Sequence, residues 1–338
     1  MSLERAINWA PGLLAVVILA LAPLIFSDFY LSAVITKALW LGIAAVSLIF
    51  LAGYAGMVSL GQVALYGVAG FTFANLVVAD GGSKVGLNPW VATLLGLVAA
   101  VAVGLFLGAI ASRSYGIYFL MITLAFSVLV YFFFAQVTQL SGFGGVNNVE
   151  LPSIVGNPLQ EPARLFYIAL VVSAVVYAAL RYIARAPLGL AFQGVRDDPE
   201  RMRALGHNVP LLRTVAFGLG ALVAGLAGIL SVWWNTRISP GSISLSQTID
   251  VLIIAVIGGL YRLEGAWVGA VFVVVLDNWL RGIDLVGNRF NTVIGAIFLV
   301  IVLVSPGGLI GIWGRATGTL QSRFVTSGHP AGDTSIAP

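Results

Sequence analysis

Apolar stretches long enough to cross a membrane recur along the whole chain, with little between them but short polar turns. Ten can be marked, at about 10–27, 31–52, 57–79, 90–111, 116–138, 165–183, 211–234, 246–260, 265–281 and 291–312. A helix rises about 1.5 Å per residue, so roughly 20 residues cross a hydrocarbon core of about 30 Å. The two stretches on either side of residue 262 are only just long enough. In lipid every backbone group must find a partner inside its own segment or a closed barrel, and uninterrupted apolar runs of this length predict helices. The pattern therefore predicts an all-α, polytopic transmembrane helix bundle of about 8–10 spans over residues 1–314, with a polar, disordered tail over 315–338. No separate soluble domain is legible. The opening stretch MSLERAINWAPGLLAVVILALAPLIF puts one arginine before its apolar run, as a secretory signal does. No clear A-x-A cleavage site follows and a second apolar run begins at once, so it reads as a retained first span.

Composition agrees. Charged residues make up 9% of the chain and hydrophobic ones 59%, against about 25% charged in soluble domains. The 40 glycines among 338 residues are well above the usual share of about 7%. They predict closely packed helices, because lipid supplies no hydrophobic drive for one helix to find another. There is no cysteine, which excludes disulfides, thiolate metal sites and a cysteine nucleophile. The net charge of +4 is spread over short loops and reads as asymmetry across a membrane, not as a nucleic-acid surface.

Orientation follows from the basic residues. With both termini cytoplasmic, Arg5, Arg113, Arg181, Arg185, Arg196, Arg201, Arg203, Arg213, Arg262, Arg315 and Arg323 lie inside, eleven in all. Lys84, Arg164, Arg237, Arg281 and Arg289 lie outside, five in all. Lys37 falls within the second apolar stretch and is expected to snorkel.

The stretch GVRDDPERMRALGHNV, Gly194 to Val209, concentrates charge that the rest of the chain lacks. Asp197 or Asp198 can cap a helix, Pro199 suits its first position, Glu200 favours its positive end and Gly206 can end it, leaving about two turns. Met202 and Leu205, three apart, are expected to share a face. So short a helix is marginal alone and must pack on something. An ordered loop, a membrane surface and a partner groove are the options; three acids oppose simple binding to anionic lipid, and mixed charge around a small apolar face favours docking to a protein.

Here a resemblance enters. LGLAFQGVRDDPERMRALGHNVPLLRTVAFGLGALVAGLAGIL resembles the cytoplasmic loop and following helix of the branched-chain amino-acid ABC transporter permeases (LivM-like subunits). GYAGMVSLGQVALYGVAGF, Gly53 to Phe71, is similar to that family's early Gly-Ser-Leu-Gly motif, LSGFGGVNN, Leu140 to Asn148, to its glycine-rich external loop, and SPGSISLSQTIDVLIIAVIGGLYRLEGAWVGAV to its late Ser-Pro and Gly-Gly-Leu region. The resemblance covers nearly the whole chain in order. It implies a transport subunit and not an enzyme, in a bacterial-type inner membrane. Its implied partners are a second homologous permease, two cytoplasmic ABC ATPase subunits and a periplasmic or lipid-anchored solute-binding protein. ATP and Mg would be bound by the ATPases, with no cofactor on this chain. It further implies that the loop at about 184–210 couples to the ATPases through Gly194, Asp198, Glu200, Arg201, Ala204, Leu205 and Gly206. The chain itself carries no G-x-x-x-x-G-K-[ST] phosphate loop and no H-E-x-x-H. His207 and His329 fall in a loop and in the tail.

Three groups are candidates for a solute path, where polar side chains and broken backbone are tolerated only if they line a cavity or are buried in protein. In the first, Gly56, Ser59, Gly61, Gln62 and Tyr66, with Gly53, Gly67 and Gly70, either pack helices tightly or interrupt one beside a pore. In the second, Ser141, Gly142, Gly144, Gly145, Asn147 and Asn148 either form a turn, dock the binding protein or offer N–H groups to a carboxylate. In the third, Asp250 and Asp277, with Asn278 behind them, are either path residues or caps and salt bridges to Arg237 or Arg281. Tyr261-Arg262-Leu263-Glu264 departs from the small or uncharged residues usual after Gly-Gly-Leu in the family; an Arg262–Glu264 pair there is an extra ATPase contact or an anchor. The solute stays open among branched-chain amino acids, urea, amides and other small polar molecules. The alternative to an ATP-driven importer is a self-sufficient ion-coupled transporter using Asp250 and Asp277.

Overall fold

The computed structural model describes residues 27–78, 80, 85–158, 160–281, 290–304 and 308–311, together with residues 19, 21 and 23. The first apolar stretch at 10–27, except for these few positions, and the whole tail at 315–338 lie outside the described residues, as do Lys84 and Arg289.

The fold is an all-α membrane bundle. Helix α1 runs Leu31–Ala55, opening with a wide turn over Leu31–Thr36 in which the Thr36 hydroxyl donates to the Leu31 carbonyl at 2.8 Å. It is followed by α2 (Gln62–Leu76), α3 (Pro89–Ala111), α4 (Gly116–Gln136) and α5 (Pro162–Arg185). Two short helices come next, α6 (Pro187–Asp197) and α7 (Pro199–Ala204), and then the longest, α8 (Val209–Asn235). The chain continues through a 3₁₀ turn at Pro240–Ile243 into α9 (Leu245–Gly258), α10 (Gly265–Arg281) and α11 (Phe290–Val304).

Among the described residues five helices, α1, α3, α4, α5 and α8, have the length and hydropathy to cross a membrane. Of the others, α2 and α9 are shorter than the stretches expected at 57–79 and 246–260, whereas α10 coincides with 265–281. The stretch at 57–79 starts its helix only at Gln62, and α9 has 14 residues, a rise of about 21 Å. The reason is local: α1 stops at Gly56, which takes φ +67°, and the Met57 N–H closes back onto the Leu51 carbonyl at 2.9 Å. Five more residues pass before a helix resumes.

Helices α1 and α8 form the centre, with 83% and 78% of their most apolar windows buried, against 28% for α4. Helices α2 and α3 pack on α8, and α10 packs on α1. The approaches are close because the residues are small. A Cβ on Gly228 of α8 would lie 2.1 Å from the Tyr66 carbonyl of α2, and one on Gly104 of α3 would lie 2.3 Å from Ala221. Helices α9 and α10 form a hairpin in which Gly258 faces Gly265. Such contacts carry the dispersion energy that holds helices together in lipid.

Each end of the bundle is tied by its own set of contacts. At one end, Asp80 pairs through its backbone with Asn147, and Val146 with Ile238, so the α2–α3, α4–α5 and α8–α9 connections clasp one another. The opposite end carries α6, α7 and the turns at 112–115 and 259–264.

Candidate functional site

The charged stretch folds as its caps dictate. Asp198 is the cap: its side chain accepts from the Arg201 N–H at 3.0 Å, Pro199 opens the helix and Glu200 sits in its first turn. Gly206, at φ +86°, ends it, and the His207 N–H returns to the Met202 carbonyl at 3.0 Å. The expected shared face of Met202 and Leu205 does not form. Met202 is 9% exposed and packs with Val195 and Val209, its sulfur against Gly194, where a Cβ would lie 2.7 Å away; Leu205 is 68% exposed. Leu205 already belongs to the non-helical exit of α7, so helical spacing no longer governs it. Glu200, Arg201, Ala204, Leu205 and Gly206 form an exposed knob around one buried methionine, and Arg203 pairs with Glu200 at 2.6 Å.

The platform beneath the knob was not legible in the sequence. Residues 187–197, part of the loop that the sequence predicts at about 184–210, form α6, which begins at Pro187 directly after α5 through the single extended residue Ala186. A residue before proline avoids helical backbone, so the chain turns there sharply. Helix α6 buries Gly189, Phe192 and Val195. At its far end Arg196 donates from Nη1 to the Gly53 carbonyl in the last turn of α1.

Two further charges at this end find partners on neighbouring elements. Arg213 is buried, its Nη1 donating to the Ser112 and Ser114 carbonyls at 3.4 and 3.3 Å, with its guanidinium carbon 4.0 Å from the Tyr115 ring centroid. Glu264 does not bond Arg262; it accepts from the Tyr177 hydroxyl at 2.6 Å and lies 3.6 Å from Arg181.

The segment Gly56–Gly61 is the interruption that glycine and serine foreshadowed. The Leu60 N–H donates to Thr123 Oγ1 at 3.2 Å, the Ser127 hydroxyl donates to the Leu60 carbonyl at 2.6 Å, and the Gly61 N–H donates to Ser59 Oγ at 3.1 Å. Thr123 and Ser127 stand four apart in α4 and so on one face, a pairing visible in the sequence but passed over. Gly53, Gly67 and Gly70 serve packing instead: a Cβ on each would come within 2.7, 2.3 and 2.6 Å of Leu260, Ile243 and Ile238 respectively. Gln62, 2% exposed, has neither amide atom hydrogen-bonded within the protein. Tyr66 bonds Ser231 through their hydroxyls.

Beside this segment lies a cavity of about 330 Å³, open on one side and lined by Ser127, Tyr131 and Phe132 of α4 and by Ser244, Leu245 and Ser246 where α9 starts. Ser127 is at the middle of α4, so α9 starts at mid-bundle depth. Asp250 follows Ser246 by one turn. Among the described side chains its charged neighbours are Asp277 and Lys37, not Arg237. Asp277, 8% exposed, pairs with the part-buried Lys37 at 3.0 Å, so the ammonium has a carboxylate partner in the bundle. Asn278 donates to the Val274 carbonyl of its own helix at 3.0 Å.

At the other end, the loop holding Ser141, Gly142, Gly144 and Asn147 is a clasp. The N–H groups of Gly142, Gly145, Val146 and Asn147 donate to the carbonyls of Val137, Gly142, Ile238 and Asp80, and Ser141 Oγ donates to the Phe134 carbonyl at 3.0 Å. Gly144 is exposed with no atom within 4 Å of a Cβ placed on it. Among the described residues no group of three or more His, Asp or Glu side chains is arranged to hold a metal.

The family model described as "branched-chain amino acid transport system / permease component" matches residues 30–303. The chain belongs to this permease family. Among its relatives is the high-affinity branched-chain amino acid transport system permease protein LivM of Escherichia coli, 25% identical over 283 residues, covering 76% of this chain and 64% of LivM. The BraD permease protein of Pseudomonas aeruginosa is 28% identical over 138 residues, 40% of this chain and 44% of its own. The LivH permease protein of Salmonella typhimurium is 26% identical over 177 residues, 49% of this chain and 57% of its own. The chain thus aligns with about 64% of the length of the LivM relative. No solved structure gave a significant match. The multi-pass bundle agrees with that membership.

Proposed function

We propose that this chain is the transmembrane permease subunit of an ATP-driven importer that carries a branched-chain amino acid, or a related small polar solute such as urea or an amide, across a bacterial-type inner membrane. Both termini and the α6–α7 projection face the cytoplasm in this reading. Of the two ABC ATPase subunits, which bind the ATP and Mg, one seats on Glu200, Arg201, Ala204, Leu205 and Gly206, with Asp198 and Gly194 shaping the knob. A second homologous permease packs beside the cavity at Ser127 and Ser244, and a solute-binding protein delivers solute at the clasp that contains Asn147. The relatives' transport roles support the solute class.

The observation that carries the coupling role is Leu205: a large apolar side chain, 68% exposed, on a rigidly capped knob of mixed charge. Buried docking accounts for it better than lipid, which three neighbouring acids would repel. For the solute path, the supporting observation is Gln62, whose buried amide costs about 1–3 kcal/mol if left without a partner. A passing polar solute or water can supply one. The ion-coupled alternative loses ground because Asp277 is already paired with Lys37.

The test is to purify the tagged chain from native membranes and identify what accompanies it, then repeat with Glu200→Lys combined with Arg201→Glu. ATPase subunits and a second permease should accompany the parent chain. The double variant should reach the membrane yet lose the ATPases and uptake. Solute uptake by the purified chain alone, driven by an ion gradient, would contradict the proposal.

A further inference from the structure

We infer that Arg196 is the positioning residue that links the docking knob to the unwound segment Gly56–Gly61, so that motion of α6 and α7 reaches the solute cavity through one guanidinium. The inference rests on the coupling role proposed above and adds the physical connection that such a role requires.

The connection can be followed residue by residue. Arg196 is the penultimate residue of α6 and stands two positions before Asp198, the cap of α7. Its Nε donates to Asp197 Oδ1 at 2.8 Å, and Nη2 lies 2.8 Å from the same oxygen, which fixes the plane of the guanidinium. Nη1 then donates to the Gly53 carbonyl, one of the four at the end of α1 that no helical N–H can reach. A cation there also meets the negative end of the helix dipole.

The stem of the side chain matters as much as its head. A Cβ on Gly56 would lie 2.7 Å from Arg196 Cγ and 3.1 Å from its Cα, so α6 rests directly on the residue at which α1 ends. From Gly56 the chain runs to Leu60, which Thr123 and Ser127 hold by both its N–H and its carbonyl. Ser127 is itself a wall of the cavity. The unwound segment is thus held at one end by the coupling platform and at the other by the solute path, with non-helical backbone between them. Backbone without its own ladder can change conformation at lower cost than a helix. An anchor serving only to bias charge toward the cytoplasm would need neither the orienting Asp197 nor the fit against Gly56.

Lysine keeps the charge but lacks the fork that holds Asp197 and Gly53 together. The experiment uses the whole complex, isolated through the tagged chain and reconstituted in proteoliposomes, with Arg196 intact or replaced by Ala or Lys. ATPase content, ATP hydrolysis and leucine uptake are read on the same sample. This chain has no cysteine, so Val58→Cys adds a single thiol in the unwound segment whose maleimide labelling on this chain is followed with and without ATP and vanadate. Arg196→Ala should keep the ATPases and their hydrolysis while uptake per ATP falls about tenfold or more, the scale of one lost charge-assisted hydrogen bond. The nucleotide-dependent change in labelling of that introduced thiol should disappear, and Arg196→Lys should lie between. If Arg196→Ala does not reach the membrane, Arg196→Lys carries the same comparison. An unchanged uptake-to-hydrolysis ratio with an unchanged labelling response overturns the link. So does loss of the ATPases from Arg196→Ala, which would make Arg196 a docking residue. Absence of any ATPase from the parent complex overturns instead the coupling role itself.

Discussion

Lys37, near the start of α1, holds its ammonium nitrogen 3.0 Å from a carboxylate oxygen of Asp277 on α10. The two residues are 240 positions apart, and the pair fixes the central helix against the α9–α10 hairpin beside a second acid, Asp250. Removing the carboxylate leaves the part-buried Lys37 ammonium without its 3.0 Å partner. Asp277→Ala is expected to cost about 3 kcal/mol, seen as a lower unfolding temperature in detergent. Lys37→Met with Asp277→Leu should recover most of it. If Asp277→Ala leaves the melting temperature unmoved, the pair is a surface contact and not a core tie.

Gly56 and Gly144 make a matched comparison. Alanine at Gly56 must take φ +67° and meet Arg196, and the left-handed backbone alone costs roughly 1–2 kcal/mol. Gly144→Ala has open space around it and no positive φ, so it should be close to neutral. Thermal unfolding of the two variants side by side checks the difference, and equal melting temperatures would contradict it.

Met202 and Leu205 should separate stability from docking. Met202→Ala removes the buried anchor of α7 and should make residues 198–206 more sensitive to limited proteolysis. Leu205→Ala takes away an exposed side chain and should leave proteolysis and melting unchanged while weakening retention of the ATPase subunits. Reversal of this order would contradict the assigned faces.

Gln62→Met replaces a buried amide that has no hydrogen-bond partner within the protein by an apolar chain of similar volume. Folding should be unaffected or slightly improved, since an unsatisfied buried group costs about 1–3 kcal/mol. Uptake should fall, with the Michaelis constant for solute rising. Unimpaired uptake would remove Gln62 from the path.

The division between sequence and structure follows the range of the forces involved. Runs such as 90–111 and 116–138 are visible as helices because lipid forces each backbone to satisfy itself, a constraint that acts within one segment. The caps of α7 are equally local: Asp198, Pro199 and Gly206 act on backbone groups within a turn or two of themselves, and their roles could be assigned before any contact was known. Helix α6 is not legible in the sequence because its character comes from Phe192 packing in the main core and Val195 packing against Met202 and Val209, with too few residues to show a period.

By itself, the sequence determined that this is an all-helical membrane bundle and that one short capped helix carries a concentration of charge. Only the tertiary structure decided that Lys37 answers Asp277, that Thr123 and Ser127 grip Leu60, and that Arg196 reaches Gly53. Helix formation and capping are set by neighbours along the chain. Which buried charge or bare carbonyl finds which partner is set by how rigid helices pack, and that depends on contacts between residues far apart in sequence.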